Sequence, residues 1–361
     1  MRPTRRLQAL CILASGCVAA LVGTPLMADD LRIGIIGLDT SHSEQFTLRL
    51  NDPANPNHIP GARVVVAFPG GSPDIEESKT RVEGFTATVR DKFGVRIVGS
   101  VAEACKDVDA VLLLSLEGRP RLEQMKQIIA AGKPVFMDKP VAVSLKDAVE
   151  IYRLAGAAQV PVFSASAVRW YPGVLEVANA EATPARSVIS YGPAHVLPHH
   201  PDLFFYGIHP TEALFTVMGT GCLSVVRTTT ASESVVTGLW AGGRTGTLQA
   251  IHEGAMAYKL IRFGDKQITE QKSEGDYTPM LREIVKFFQT KQPPVLPKQT
   301  LEIYAFMAAA EESKHRDGGR VTLREVMVKA GAPEAWLPED GKAKHEMPKS
   351  VPKGLPKPSG S

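Results

Sequence analysis

Cysteine is scarce in this 361-residue chain, which holds only four. Cys11 and Cys17 lie in an N-terminal apolar stretch. Cys105 and Cys222 are far apart and each sits in apolar surroundings, so they read as buried thiols; their spacing gives no support to a disulfide. An excess of charge is also missing. The formal net charge is +3, and the dense basic stretches are confined to the termini, so a nucleic-acid partner, which calls for a clustered basic face, is not expected. Aromatic residues make up 6%, and there are no internal repeats. The one long apolar run, Leu7 to Val22, is short for a membrane span and is interrupted by Ser15 and Gly16, so no stable transmembrane anchor is expected. What remains is globular: 44% hydrophobic and 22% charged residues, in a chain long enough for two ordinary domains.

The first residues, Met1-Arg2-Pro3-Thr4-Arg5-Arg6, precede that apolar run, and Ala28 stands before a polar junction. A positive start, a short apolar core and a small residue describe a secretory signal over residues 1–28, cleaved after Ala28. An uncleaved anchor is the plain alternative. Ala14-Ser15-Gly16-Cys17 also resembles a lipoprotein processing site, with Ala14 a poor residue at its first position. Arg5-Arg6 suits a twin-arginine signal, against which Gln8 and Ala9 count. The chain is expected to be exported, to a periplasmic or secreted location.

From Leu31 strands and helices alternate. Leu31 to Ile36 is a continuous apolar run, as in a strand buried on both faces. Further strands are expected at Arg63–Phe68, Val95–Val98, Ala110–Leu114, Pro134–Met137 and Val160–Ser164. Ser41-x-x-Glu44 resembles a capping box opening a helix, Pro120 to Ala131 reads as a helix stopped by Gly132, and Leu145 to Ala155 as another. Repeated strand–helix–strand units imply a Rossmann-like parallel sheet over residues 29–166. After Arg169-Trp170-Tyr171-Pro172 the rhythm changes. Strands at Ser187–Tyr191, Leu223–Thr230, Ser234–Trp240, Thr247–His252 and Tyr258–Phe263 follow one another without long helices. They suggest an α+β domain over 167–330 with an open, largely antiparallel sheet and helices at Pro210–Met218, Pro279–Thr290 and Leu301–Ser313. Residues 331–361 are expected to form a flexible tail, rich in Lys, Pro and Gly from about Pro338. The fold class is α/β.

Four signatures share one order: Gly34-Ile35-Ile36-Gly37, Ala131 to Pro140, Arg169-Trp170-Tyr171-Pro172 and Gly207-Ile208-His209-Pro210-Thr211-Glu212. In that order and spacing the chain resembles the Gfo/Idh/MocA family, named for glucose-fructose oxidoreductase and inositol dehydrogenase, from about Leu31 to Met327. The resemblance implies nicotinamide-dependent oxidoreductase chemistry on a sugar or cyclitol. Lys139 matches the family lysine near the nicotinamide, with Asp138 in place of glutamate. A lysine at the C-terminal edge of a parallel sheet lies where such folds bind ligands, and there it can exchange a proton with a reacting hydroxyl. The other reading of Lys139 is a surface lysine capping a strand. His209 matches the family acid/base histidine, against a packing histidine. Glu212, one helical turn on, and Arg169 match substrate contacts, against a helix-terminal charge and a structural ion pair. Tyr206 offers a stacking surface. Gly37, Thr40, Ser41, Ser72, Ser115 and Lys139 are the candidate cofactor residues. The family also implies a homo-oligomer formed through the open face of the second sheet.

Departures from the family pattern are concentrated at the nucleotide turn, Gly37-Leu38-Asp39-Thr40-Ser41-His42. The backbone must approach a pyrophosphate closely there, yet Asp39 and His42 replace the second and third glycines. A carboxylate about 4 Å from a diphosphate costs on the order of 4 kcal/mol at an effective dielectric near 20, unless Asp39 turns away to cap the helix. Phe68-Pro69-Gly70-Gly71-Ser72 ends the second strand without the acidic residue that grips a ribose. That turn, with Lys79 or Arg81 nearby, favours NADP over NAD, an ordinary loop being equally consistent. Phe205 stands where family dehydrogenases often carry an aspartate, and Arg121 where many carry a histidine. His195, His199, His200 and His209 cluster in sequence, but their spacing matches no metal site and no metal is assigned. The leading reading is an exported NAD(P)-dependent oxidoreductase acting on a hydroxyl of a sugar, glycoside or cyclitol, with a retained cofactor because nicotinamide nucleotides are scarce outside the cytoplasm. The alternative is a carbohydrate-binding protein that kept the fold and lost the cofactor. A metal-assisted lyase using the histidine loop comes third.

Overall fold

A computed structural model describes residues 30–338 except Pro198. The expected signal segment with Cys11 and Cys17, and the end of the expected tail, lie outside the described residues. The first domain contains β1 (Leu31–Ile36), α1 (Ser41–Asn51), β2 (Ala62–Phe68), α2 (Glu76–Phe93), β3 (Arg96–Ile97), α3 (Val101–Ala104), β4 (Ala110–Leu113), α4 (Arg121–Ala130), β5 (Val135–Met137), α5 (Leu145–Ala157) and β6 (Val162–Ser164). The six strands pair in the order β3-β2-β1-β4-β5-β6, all parallel. Chain order reverses between β1 and β4, so a crevice opens beyond their C-terminal ends, the usual ligand position in such sheets. The strands are apolar on both faces because helices cover both: β4 and β5 are buried at every residue.

The second domain adds α6 (Pro172–Ala178), β7 (Ser187–Pro193), α7 (Ile208–Met218), β8 (Cys222–Thr229), β9 (Glu233–Trp240), β10 (Thr245–Ile251), β11 (Lys259–Phe263), β12 (Ile268–Glu270), α8 (Thr278–Thr290), α9 (Pro297–His315), β13 (Val321–Thr322) and α10 (Leu323–Lys329). Its sheet runs β12-β11-β7-β10-β9-β8-β13, antiparallel except where β7 and β10 pair in parallel. The alternating burial of β9 and β10 records a sheet with one face against the core and one away from it.

Three expectations are corrected. The segment 167–330 is not one separate body, because α8 returns to the first domain. Met280, Leu281, Ile284 and Phe287 share a buried cluster with Ile33, Phe136 and Phe163, and the Phe163 and Phe287 rings meet edge to face at 4.9 Å. The tail begins later than residue 331, since Trp336 and Leu337 pack on the core and Arg324 donates to Glu334 (2.6 Å). Helix α1 is capped by Thr40, which accepts from the His42 amide, rather than by a Ser41 box. Cys105 and Cys222 are both buried free thiols.

Candidate active site

Backbone contact between two loops sets the floor of the crevice. Gly37 has φ +96°, and a Cβ there would lie 2.3 Å from the Ser115 amide nitrogen, so the turn after β1 presses directly on the loop after β4. Beyond it Thr40 and Ser41 open α1, and β5 delivers Asp138 and Lys139 just past its C-terminal end. The second domain supplies the opposite wall. A π-helical turn, Leu203–Gly207, carries Tyr206, and the first turn of α7 carries His209. These groups enclose a cavity of about 260 Å³, also lined by His42, Ser166, Tyr171, Tyr258 and Tyr277.

The wall is set for proton exchange. Lys139 Nζ lies 4.8 Å from the centre of the Tyr206 ring and 5.6 Å from that of Phe205. Burial pushes its ammonium toward deprotonation, with Arg121 adding repulsion and Asp138 partly opposing. Burial also drives His209 well below the ordinary imidazole range, helped by Lys139 and His42. The His209 Nδ1 shares a hydrogen bond with Ser166 Oγ (2.5 Å). The phenols of Tyr206 and Tyr258 move the other way, raised chiefly by burial, and remain donors. Asp138 is fully enclosed. Burial works against its charge, but His42, Lys139 and Arg121 outweigh it and hold the carboxyl below its usual value. Its two oxygens take His42 Nδ1 and, at 2.9 Å, the Lys139 amide.

Residues 31–166 match the family model described as an oxidoreductase family with an NAD-binding Rossmann fold, GFO_IDH_MocA. Over those residues the N-terminal domain is similar to the Gfo/Idh/MocA oxidoreductase family. The fold extends the likeness across both domains. An apo scyllo-inositol dehydrogenase from Lactobacillus casei superimposes with a TM-score of 0.67 at 14% identity, covering 81% of this chain and 98% of that one. A myo-inositol dehydrogenase from the same organism, in complex with NAD(H) and myo-inositol, gives 0.65 at 15%, covering 81% and 96%. An oxidoreductase from Agrobacterium radiobacter, in complex with NAD+, L-tartaric acid and magnesium, gives 0.64 at 15%, covering 81% and 98%. No curated protein matches by sequence.

Within this domain the two ends of the crevice differ. The end toward Lys139 is a polar cavity lined by Lys139, His209, His42 and tyrosine hydroxyls. The diphosphate and adenosine end is filled by the chain itself. Asp39 does not cap α1. It is 1% exposed, accepting from the Leu116 amide (3.0 Å) and Ser78 Oγ (2.7 Å), and burial raises its carboxyl despite those bonds. Glu117 accepts from Ser72 Oγ (2.8 Å) and from the Arg119 amide (2.7 Å), and pairs with His200 (3.1 Å). Burial disfavours its charge, but His200, Arg119 and Ser72 prevail and hold the carboxyl down at about 2. Arg119 reaches on to Asp74 in a two-pronged pair (2.7 and 2.9 Å). Ile75, Leu116 and Phe205 form an apolar plug between the same loops. In this arrangement the diphosphate end does not fit a dinucleotide.

Several site expectations therefore change. Ser72 and Ser115 are committed inside the protein, Ser115 Oγ to Gln124 (2.9 Å), so neither hydroxyl is offered to a nucleotide. Of the donors expected to favour NADP, Ser72 is bonded as above, Arg81 pairs with Glu77 at the cavity rim, and Lys79 is exposed. Arg169 and Glu212 bind each other (2.5 Å) and neither lines the cavity; a fully buried carboxylate on α7 requires a partner. Lys139, His209, Tyr206, Thr40 and Ser41 do meet at the cavity. Phe205, at the expected aspartate position, belongs to the plug. Arg121 is fully buried and clamps the main-chain oxygens of Ser115 and Asp138. The histidine loop does not converge. His195 packs on Tyr206, His200 serves Glu117, and among the described residues no group of His, Cys, Asp or Glu is placed to hold a metal. The sequence reading missed His42 and Asp138 as a pair, and Tyr258 and Tyr277. The imidazole at a glycine position was the available signal for the first. Nothing in the sequence marked the tyrosines, which come from loops far along the chain.

Proposed function

We propose that the chain is an NAD(P)-dependent oxidoreductase acting on a hydroxyl of a sugar, glycoside or cyclitol. One observation carries this reading: Lys139 and His209, both biased by burial toward their neutral, proton-accepting forms, face a single cavity whose polar lining includes four tyrosines, His42, Thr40, Ser41 and Ser166. Its volume of about 260 Å³ lies just below the range that encloses drug-sized ligands and suits one hydroxylated ring. Tyr206 and Tyr258 donate to ring oxygens and stack on the ring. Lys139 accepts or returns the proton of the reacting hydroxyl, and His209 relays it toward Ser166. A bound nicotinamide would supply the hydride acceptor. The structural neighbour named for NAD(H) and myo-inositol supports the substrate class.

A second reading, a polyol-binding protein without nucleotide, is favoured by the filled diphosphate end. The Lys139→Ala variant separates the two. An oxidoreductase loses turnover of myo-inositol or glucose, followed as NADH or NADPH absorbance, while its fold persists. A binder shows no turnover in either form yet gives heat on titration with the polyol. Export rests on the charged start and apolar run of residues 1–28. A retained cofactor follows from that location and is tested by mass spectrometry of whatever leaves the denatured native protein. Assembly into a homo-oligomer through the second sheet is proposed from the family resemblance alone.

A further inference from the structure

His42 occupies the third small-residue position of the nucleotide turn, and its surroundings are those of a working imidazole. It is the second residue of α1 and lines the cavity. Its ring stacks on Phe46 (5.2 Å between centroids) and meets the edge of Tyr277 (4.6 Å). Its Nδ1 is bound to Asp138, which is itself 2% exposed. Among the described residues no hydrogen bond ties its Nε2. Two rings and one carboxylate thus fix the imidazole and leave a single nitrogen for whatever fills the cavity.

We infer that His42 and Asp138 form an acid–base dyad, so that the turn that would seat a diphosphate has become part of the proton machinery of the polyol site. This rests on the proposed function and adds to it a catalytic residue, His42, and a positioning residue, Asp138. The physical basis is tautomer control. A carboxylate that accepts from Nδ1–H leaves the lone pair on Nε2 and stabilises the imidazolium formed when Nε2 takes a proton. In the step assigned here Lys139 Nζ takes the proton as the substrate O–H bond breaks, then passes one on: an Nζ–H bond breaks and an Nε2–H bond forms on His42. The ring gains one positive charge beside the Asp138 carboxylate, and the substrate oxygen keeps its electron pair as an alkoxide facing Lys139. The same Asp138 accepts from the Lys139 amide, so one buried carboxylate aligns both groups of that relay. The neighbouring Asp39 is turned away to Ser78 and Leu116, leaving the cavity side of the turn to His42.

The test uses full-length protein labelled with ¹⁵N-histidine, the His42 signals being assigned by their loss in His42→Gln. In the neutral imidazole the expected spectrum shows Nδ1 protonated and Nε2 bare, with the Nε2 resonance moving when myo-inositol is added. Asp138→Asn should scramble the tautomer while the circular dichroism stays unchanged. His42→Gln should keep myo-inositol affinity within about threefold by calorimetry and lower turnover by about 100-fold or more. A His42 protonated on Nε2 and bare on Nδ1, or a His42→Gln variant with wild-type turnover, overturns the dyad. If no polyol binds at all, the substrate reading fails by itself, and the tautomer still decides for or against the dyad.

Discussion

The two ends of one crevice use the same kinds of residue to opposite effect. Toward β5, Lys139, His209 and His42 each keep an atom facing a cavity. Toward β2, Asp39 is satisfied by Ser78 and the Leu116 amide, and Glu117 by Ser72, Arg119 and His200. A buried polar group whose partners are complete stabilises or closes a structure, whereas one aimed at a cavity awaits a ligand. The difference teaches where to look for chemistry in a chain whose nucleotide turn departs from the usual pattern. The motif positions that lost their usual residues have acquired new partners.

The largest effect expected is on catalysis. Lys139→Ala should reduce turnover on the order of 10³-fold with little change in melting temperature, and activity should rise with pH through a group below the ordinary lysine range. A wild-type rate would place the chemistry elsewhere.

The ion pair beneath the cavity should behave otherwise. Arg169→Leu strands the buried Glu212 carboxylate and should cost about 3 kcal/mol in urea unfolding, with polyol affinity unchanged. A large loss of affinity at full stability would restore Arg169 as a ligand contact.

At the closed end, Glu117 carries a pH signature. Its folded-state value of about 2 lies below its ordinary 4.5. The stability it contributes is therefore complete above pH 4.5 and is lost as pH falls from there toward 2. Unfolding curves across that window should show a drop that Glu117→Gln reduces; parallel curves would mean that the network holds nothing. The smallest effect belongs to Gly37→Ala, which forces a Cβ onto the Ser115 backbone at positive φ and should cost upward of about 1 kcal/mol, read as a lowered melting temperature.

Much of the architecture was legible in the residues. The first sheet could be read strand by strand because parallel strands buried on both faces are continuous apolar runs, and Gly132 and Pro134 punctuate them clearly. Helix α2 was not legible. Its run from Glu76 to Phe93 buries few side chains and shows only a weak apolar stripe. The return of α8 to the first domain was hidden as well, since its apolar face fits either core. At the site, Lys139 and His209 were legible by resemblance and Tyr206 as a stacking surface. The pairing of Arg169 with Glu212 was left open between a substrate contact and an ion pair, because it depends on how an irregular turn packs on α7. His42 was read as a lost glycine, and only its proximity to Asp138, 96 positions later, gives it a partner.

The contrast between the two ends is tested most directly by the kinetics of NADH uptake, followed by fluorescence in wild type and in Glu117→Gln. With the diphosphate end closed by Ser72, Glu117, Arg119 and Asp74, opening must precede binding. The wild-type rate should then level off as NADH is raised, and the variant should take up NADH faster. A rate that climbs linearly with concentration, and is identical in the two proteins, would contradict the closed crevice.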